Sequence, residues 1–391
     1  MNVKIVSCWF ATSYGTYTDG LRRGLERKLG RDVGIIASNC GCGDPMEMSR
    51  TFVDQRCSFI EFPNVPYATM SSKPKQLVLD TVRKAAYCER ARRYMKETGD
   101  ADVVHFQQIL NAFGSITATA WLDLPCKAAR VVTVHELDPY QQAHPEVSSK
   151  YAKADALVVH TSEMRAELIA LGAWRERVHV VPHGVDLQQP SDAPRSNLVF
   201  YGGHKLENGK GALALFAALA VAKQALGTSM PRVRAHGHYT ETGANWAKKS
   251  AKEAGLENDI DWLDQIDHDT AIKEYRRARA VLLPYTGGFA GYPASLAAAS
   301  GAAVIGTRRA GLPEHLGDAA IFVPERDPAA LASAIVRVVR DEGERRRVAG
   351  AAHAHAEREL GWDTVAKKTA AIYEEAFARS HVSRETPALH G

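Results

Sequence analysis

The residue types best suited to ligand binding occur in the segment 278–306, which reads ARAVLLPYTGGFAGYPASLAAASGAAVIG. An apolar strand predicted over 281–283 leads into a loop of glycine and aromatic residues, and a helix of small residues follows over 294–300. Glycine lets a ligand approach the backbone closely, and the free amides at the start of a helix favour an anion. The segment therefore predicts an anion-binding loop at the carboxyl end of a strand, where open α/β sheets hold their ligands.

Alternating strands and helices are predicted to position this loop. In the first half of the chain, apolar runs predict strands at 3–6, 33–37, 103–106, 129–134, 156–160 and 178–181, separated by helices at 18–29, 75–97, 112–122 and 162–171. A second series of strands is predicted at 198–201, 233–236, 260–263, 280–283, 302–306 and 320–323, with helices at 212–226 and 328–341. This rhythm predicts an α/β fold with two Rossmann-like domains facing a central cleft.

The length of 391 residues also favours two domains, because a single core of this size is unusual. The predicted boundaries are an N-terminal domain at 1–187, a polar linker containing two prolines at 188–197, a C-terminal domain at 198–360, an amphipathic helix at 361–380 and a tail at 381–391 that looks disordered.

Composition narrows the class of protein. The chain is 45% hydrophobic and 24% charged, as soluble globular proteins are, and its net charge of +4 is too small to indicate a nucleic-acid partner. No apolar run is expected to approach membrane-spanning length, and the amino-terminal residues lack the layout of a signal peptide. Two of the six cysteines, Cys40 and Cys42, lie in NCGCGD, a spacing that is wrong for a CxxC zinc or redox pair, so reduced thiols are favoured over a disulfide or a metal site. We therefore expect a cytoplasmic protein with reduced thiols.

Three longer segments resemble GT-B glycosyltransferases of family 4. The segment 154–187, ADALVVHTSEMRAELIALGAWRERVHVVPHGVDL, is similar to the family pattern ending in VxVVPNGVD, with His183 in place of asparagine. NLVFYGGHKLENGKG resembles LFVGRLxxEKG, and 301–335 resembles GxPVIAxxxGGxPEIVxDG and its continuation. The resemblance implies retaining transfer of a sugar from a nucleotide-sugar in the C-terminal domain to an acceptor in the N-terminal domain. It also implies a role in carbohydrate biosynthesis and a last helix that returns to the N-terminal domain.

The same resemblance implies which residues bind the donor. Lys210 matches the family lysine that neutralises the donor diphosphate, and Lys205 or His204 occupies the place of the family arginine, beside Gly203. A fixed cation is needed there because the leaving diphosphate develops negative charge. Further donor-binding candidates are Gly15 and Thr16 in the first glycine loop and Glu314 in GLPEHL. Solvated turns and helix caps would account for several of these residues equally well.

On the acceptor side, His135 resembles the family's active-site histidine at the end of an N-domain strand, and with the two lysines it completes the predicted catalytic set of His135, Lys210 and Lys205. His105 matches a second frequent histidine, and Glu136 and Asp138 are nearby carboxylates. Asp19 is a weaker candidate base. The structural alternative for each histidine is a ring whose hydrogen bonds are satisfied inside the fold.

The family's pair of glutamates is absent. Alignment on Gly291, Pro293 and Gly301 places Gly288 and Leu296 at the two glutamate positions, and leucine cannot accept a hydrogen bond from a ribose hydroxyl. The donor could instead be held by backbone amides of Phe289, Ala290 and Gly291 and by Tyr292 or Ser295. Alternatively, the donor is unusual, or the protein is a non-catalytic sugar-binding relative. A nucleotide-sugar epimerase, which shares the fold, is disfavoured by the missing carboxylates.

The resemblance implies a nucleotide-sugar and an acceptor as ligands and no further cofactor. No DxD-like motif stands at a strand end beside the donor loop, so we expect no metal. Peripheral membrane contact is compatible with the chain but not indicated by it. The sequence leaves the donor base, the sugar, the acceptor and the oligomeric state open.

Overall fold

The computed structural model describes residues 1–7, 13–38, 57–60, 73–107, 122, 126–135, 137, 149–188, 195–202, 210–236, 241–263, 266–287 and 291–385. The chain divides into two compact units. The first unit comprises Met1–Val181 together with Trp362–Gly391, and the second unit comprises Pro182–Gly361. The predicted boundary at 187 therefore lies six residues beyond the division of the chain.

The described strands and helices are numbered here in chain order. The strands are β1 Val3–Ser7, β2 Gly34–Ser38, β3 Cys57–Ile60, β4 Val103–Gln107, β5 Ala129–Val134, β6 Ala156–Val159, β7 Val178–Val180, β8 Leu198–Tyr201, β9 Arg232–His236, β10 Ile260–Leu263, β11 Ala280–Leu283, β12 Ala303–Thr307 and β13 Ile321–Val323. The α-helices are α1 Ser13–Leu29, α2 Lys73–Glu97, α3 Ser162–Ala170, α4 Ala212–Leu226, α5 Glu241–Glu253, α6 His268–Arg277, α7 Gly291–Ala299, α8 Leu312–Leu316, α9 Pro328–Arg340, α10 Glu342–Glu359 and α11 Trp362–Glu385.

Each unit is built on a parallel sheet, and the strand order of the two sheets agrees except that the first sheet carries a seventh strand, β7, at its edge. The first sheet runs β3-β2-β1-β4-β5-β6-β7 and the second runs β10-β9-β8-β11-β12-β13. In each sheet, successive strands are added first on one side of the unit's first strand and then on the other. The side changes between β1 and β4 in the first sheet and between β8 and β11 in the second. Ligands of doubly wound folds bind outside the carboxyl ends of the strands at such a reversal. The topology therefore marks one candidate edge in each unit.

The sequence forms these sheets because its strands are apolar on both faces. All four residues of β6, β8 and β11 are buried, as expected for strands covered by helices on both sides. The alanine-rich helix α4 packs into the core of the second unit through Leu215, Phe216 and Leu219. The small alanine side chains of α4 let the helix approach the sheet closely, and larger residues such as Phe216 and Tyr201 fill the remaining space.

Helix α4 corrects one expectation. Among the described residues, the stretch 212–229 is long and apolar enough to cross a membrane by length and composition alone. The expectation that no apolar run approaches that length was therefore wrong. Leu215 and Leu219 of this stretch nevertheless lie in the core of the second unit, where a buried helix of a folded domain would place them.

Helix α11 completes the core of the first unit. Its residues Trp362, Val365 and Tyr373 are buried in one cluster with Tyr17 and Leu21 of α1. Two glycines of α1 allow this contact. A Cβ atom at Gly20 would lie 2.0 Å from the Trp362 ring, and one at Gly24 would lie 2.6 Å from the Trp362 carbonyl oxygen. The two helices can touch only because α1 carries no side chain at these positions.

We expect Gly24→Ala to destabilise the protein and Gly350→Ala to stabilise it. The new methyl at position 24 would collide with backbone of α11, and overpacking of this kind costs about 1–3 kcal/mol. Gly350 lies exposed within α10 with no atom near its added Cβ, so alanine gains about 0.5–1 kcal/mol of helix propensity there. Urea unfolding of both variants measures the difference. A Gly24→Ala variant at least as stable as the wild type would contradict the close approach of α1 and α11.

Several elements differ from their predicted bounds. Helix α1 begins at Ser13 rather than 18, α7 begins at Gly291 rather than 294, and α11 continues to Glu385, beyond the predicted end at 380. The charged, alanine-rich helix α10 was not predicted, because it lacks a strong stripe of large apolar residues. The predicted helix at 112–122 lies outside the described residues except for Leu122.

Candidate active site

Lys210 lies at the edge where the second sheet reverses. It directly precedes Gly211 and helix α4, and its carbonyl oxygen accepts a hydrogen bond of 3.2 Å from the Tyr201 hydroxyl at the end of β8. Its Nζ lies 4.5 Å from the centre of the Tyr285 ring, which follows β11. The ring face attracts the ammonium group electrostatically. A half-buried cation is thereby held between the ends of two neighbouring strands.

Gly211 fixes the backbone beside Lys210. Its φ of +76° lies in the left-handed region, and a Cβ atom there would approach the Pro284 carbonyl oxygen to 1.8 Å. Only glycine meets both conditions. The tight contact between 211 and 284 brings the loop before α4 against the loop after β11.

We expect Gly211→Ala to lower the free energy of unfolding by about 3 kcal/mol or more, from left-handed strain and overpacking together. Gly255→Ala is the matched control, because Gly255, which follows α5 in the same unit, has a φ of +71° and no atom within 4 Å of an added Cβ. It should lose only the strain, about 1–2 kcal/mol. Equal losses in urea unfolding would show that the Pro284 contact is unimportant.

Helix α7 presents two of the predicted donor-binding side chains. The Tyr292 hydroxyl forms a hydrogen bond of 2.7 Å with Nδ1 of His268, at the start of α6. Burial raises the pKa of Tyr292, with a further contribution from Asp186, so its hydroxyl keeps its proton. Ser295 is buried and donates to the His183 carbonyl oxygen at 2.8 Å. Gly291, the first residue of the helix, is buried beside them.

Leu296 lies inside the core of the second unit. Its side chain is 2% exposed and packs in one apolar cluster with Leu283 and Tyr285. The structure thus supplies an apolar side chain, with no acceptor for a ribose hydroxyl, at the second glutamate position of the family. Any polar contact to a donor near α7 must come from other residues, of which Tyr292 and His268 are the described examples.

Glu314 stands in the first turn of α8, after a strained pair of residues. Ala310 and Gly311 have φ values of +57° and +79°. The neighbouring His315 is buried, which lowers its pKa to about 4 and keeps its ring neutral. Its Nδ1–H donates to the Gly311 carbonyl oxygen at 2.7 Å, and its Nε2 accepts from the His183 amide at 2.9 Å. His315 was not predicted, because it occupies a position that is aliphatic in the family pattern.

In the first unit, His135 follows β5 and is buried within a row of polar side chains. Its Nε2 lies 2.9 Å from Oε1 of Gln107 and its Nδ1 lies 3.0 Å from Nε2 of His160. The other nitrogen of His160, Nδ1, lies 2.9 Å from the Val181 carbonyl oxygen. The edge of the Tyr17 ring packs against His135, with ring centres 4.8 Å apart. Both ring nitrogens of His135 therefore have partners within the unit.

His105 extends the polar row toward α11. The Tyr373 hydroxyl lies 2.6 Å from its Nδ1 and the Thr133 hydroxyl lies 2.7 Å from its Nε2. Burial, with a smaller effect of His160, lowers the pKa of His105 to about 3. Its ring is neutral and internally bonded. Gln107, His160 and Tyr373 were not predicted as site residues, although His160 stands at the end of a predicted strand.

The candidates in α1 lie in a helix. Gly15 and Thr16 are the third and fourth residues of α1, so their amides are among the first four of the helix, which lack partners within it. This position keeps them compatible with an anion. Asp19 forms ion pairs with Arg22 at 2.9 Å and with Arg23 at 3.0 Å. Both carboxylate oxygens of Asp19 are therefore engaged by guanidinium groups of the same helix.

Seven predicted site residues lie outside the described part of the chain: Glu136, Asp138, Gly203, His204, Lys205, Phe289 and Ala290. Within the described ranges, no group of three or more histidine, cysteine, aspartate or glutamate residues is arranged to hold a metal ion.

Two family models match the chain in tandem. The model described as Glycosyltransferase Family 4 matches residues 15–189, and the model described as Glycosyl transferases group 1 matches residues 195–341. The first match ends and the second begins close to the division between the two compact units. The chain belongs to the family 4-like glycosyltransferases.

Curated relatives of this glycosyltransferase agree with that assignment. A D-inositol 3-phosphate glycosyltransferase of Xylanimonas cellulosilytica is 29% identical, over 94% of this chain and 93% of its own length. A glycogen synthase of Mycobacterium tuberculosis is 26% identical, over 70% of this chain and 68% of its own length.

Solved structures show that the glycosyltransferase has the GT-B fold. The sucrose-phosphate synthase of Thermosynechococcus elongatus superposes with a TM-score of 0.73 at 18% identity, covering 97% of this chain and 100% of that one. Anabaena HepE in complex with UDP gives a TM-score of 0.70 at 15% identity, covering 96% and 100% of the two chains.

Proposed function

We propose that this glycosyltransferase moves a sugar, with retention of anomeric configuration, from a nucleotide-sugar held by the second unit to a hydroxyl acceptor served by the first unit. The observation that carries the proposal is the half-buried Lys210 at the edge where the second sheet reverses. That edge is where a doubly wound fold binds its ligand, and a cation there suits a diphosphate.

Sugar transfer from a nucleotide-sugar requires stabilisation of negative charge on the leaving diphosphate. As the bond between sugar and diphosphate breaks, negative charge grows on the phosphate oxygen, and the Lys210 ammonium group stabilises it. The amides at the start of α4 and α7 add partial positive charge. HepE, which shares this fold, has been solved with UDP and with UDP-glucose. Those structures support a nucleoside diphosphate sugar as the class of donor.

Because the donor loop lacks the two glutamates of the family, other residues must contact the nucleotide in this protein. With Leu296 in the core, we propose that the Tyr292 hydroxyl and the His268 ring provide polar contacts beside α7. Tyr292 and His268 are already paired with each other, so a ribose hydroxyl would compete for the same atoms. The Leu296 substitution also supports the second candidate, a non-catalytic relative that binds a sugar or nucleotide without transferring it.

A thermal-shift panel with UDP, GDP, ADP, dTDP and their common sugar conjugates tests the donor proposal. A ligand at a hundred times its dissociation constant stabilises the folded state by about 2.7 kcal/mol, so one base should raise the melting temperature clearly. The matching monophosphate is the control for the diphosphate contact and should bind more weakly. Failure of every nucleotide to shift the transition would contradict the donor proposal.

Transfer is then measured with the selected donor and a panel of polyhydroxyl acceptors. Inositol phosphate and an α-glucan belong in that panel, because relatives are named for them. NMR of the product reports whether the anomeric configuration is retained. Nucleotide binding without transfer to any acceptor and without donor hydrolysis would favour the non-catalytic relative.

A further inference from the structure

Gln107, His135 and His160, which we call the histidine row, stand at the carboxyl ends of three neighbouring strands, β4, β5 and β6. Parallel pairing sets these ends side by side, with Gln107 opposite Thr133 and Val134 opposite Val159. All three side chains of the row are buried, and the distances between consecutive polar atoms are 2.9 and 3.0 Å. The row therefore forms a continuous line of hydrogen bonds.

One end of the row fixes the direction of these bonds. The Val181 carbonyl oxygen can only accept, so Nδ1 of His160, 2.9 Å away, must carry a proton. Complete burial of His160 favours its neutral form, in which Nε2 carries a lone pair. That lone pair faces Nδ1 of His135 at 3.0 Å. His135 must therefore donate through Nδ1, because two lone pairs cannot share a hydrogen bond.

From this geometry we propose that His160 is a positioning residue that holds neutral His135 in its Nδ1–H tautomer and leaves the lone pair on Nε2. In the structure, Oε1 of Gln107 lies 2.9 Å from Nε2 of His135, and the amide nitrogen of Gln107 lies 3.4 Å from Nε2 of His105. The oxygen and nitrogen of a side-chain amide are told apart by their hydrogen bonds, and the proposed tautomer requires the two to be exchanged, so that the NH2 group of Gln107 donates to Nε2 of His135. A sugar hydroxyl would displace this amide and donate to the same lone pair. This last step rests on the proposed transfer function, whereas the tautomer does not.

Packing against Tyr17 supports the orientation of the His135 and His160 rings. Tyr17 of α1 lies edge-on against both histidines, with ring centres 4.8 Å from His135 and 5.2 Å from His160. This packing supports the orientation in which the hydrogen-bond direction set at Val181 is passed on through His160 to His135. The arrangement resembles the general use of a second hydrogen-bond partner to choose which ring nitrogen of a histidine reacts.

The tautomer can be measured on the full chain labelled with ring-15N histidine. Long-range 1H–15N correlations distinguish protonated from unprotonated ring nitrogens, and His135→Gln identifies the signals of that ring. We expect His135 to show a protonated Nδ1 and an unprotonated Nε2. In His160→Phe, which keeps a ring but removes the acceptor, a second population protonated at Nε2 should appear. His160→Gln keeps both a donor and an acceptor and should preserve the wild-type pattern.

Kinetics test the consequence for transfer. We expect His160→Phe to lower kcat about tenfold with the KM for the donor unchanged, and His160→Gln to retain most of the activity. Melting temperatures of the variants identify any loss of fold. If His160→Phe fails to fold, Gln107→Glu replaces it, because a carboxylate only accepts and should make His135 protonated at both nitrogens.

The proposal is overturned if wild-type His135 is protonated at Nε2, alone or together with Nδ1. An unchanged tautomer in His160→Phe would remove the positioning role, and an unchanged kcat would remove its importance for transfer. If the protein transfers no sugar at all, the proposed function fails while the NMR measurement still decides the tautomer.

Discussion

Replacement of Lys210 by alanine should lower kcat about 100-fold, with little change in the melting temperature. Removal of a single fixed group that stabilises charge at a reacting oxygen typically costs a factor of about 10²–10³. Lys210 is half-buried and its ammonium group lies over the face of the Tyr285 ring, outside the apolar clusters of the unit, so its loss should leave the core intact. The rate should fall because the negative charge that develops on the leaving diphosphate is no longer stabilised.

A control for Lys210→Ala is the same substitution at a lysine of the second unit that lies away from the candidate site. Lys249 in α5 has a side chain that is 76% exposed and pairs with Glu253 at 3.8 Å. Lys249→Ala should leave turnover unchanged. Lys210→Arg should recover part of the rate, because it restores the charge with a different shape. Steady-state assays with the donor selected by thermal shift provide the measurement, and a wild-type kcat in Lys210→Ala would remove this lysine from the site.

Glu274→Ala should lower the free energy of unfolding by about 3–5 kcal/mol, the typical cost of leaving a buried ionic partner uncompensated. Glu274 on α6 is buried and accepts two hydrogen bonds from Arg234 on β9, at 2.7 and 3.0 Å. Arg277 lies 3.5 Å from the same carboxylate. Alanine would leave the Arg234 guanidinium group without its principal partner, with Asp261 at 3.7 Å as a more distant one.

Two further variants separate the ion pair from the packing. Glu253→Ala removes an exposed carboxylate of an i,i+4 pair and should change stability by no more than about 0.5 kcal/mol. The double change Arg234→Met with Glu274→Leu removes both charges and should recover most of the loss. Urea unfolding monitored by circular dichroism measures all four proteins. A loss in Glu274→Ala no larger than in Glu253→Ala would show that the pair contributes nothing.

The fold was largely predictable because its strands are short apolar runs separated by helices. Strand β11, Ala280–Leu283, and helix α4, Ala212–Leu226, have the predicted bounds. Helix α10 was missed because alanine, arginine and glutamate dominate it and leave little apolar period. Sequence patterns locate elements well where burial determines the residue types, and poorly where charged residues interrupt the apolar pattern of a helix, as in α10.

The candidate site was predicted less completely. Lys210 and His135 could be named because each stands next to a strand or helix end that the sequence marks. The partners of His135 could not, because Gln107 and His160 come from strands that become neighbours only in the folded sheet. Their roles depend on the direction of hydrogen bonds, which cannot be predicted from the spacing of residues along the chain.

The burial of α11 against α1 has a consequence for synthesis of the protein. The second unit is a continuous stretch, Pro182–Gly361, whereas the first unit lacks part of its core until Trp362, Val365 and Tyr373 have been translated. On the ribosome, the second unit can fold before α11 has been synthesised, and until then the apolar face of α1 remains exposed. We expect a chain that stops before Trp362 to be recognised by chaperones and proteases, even though it contains every residue of the donor-binding unit.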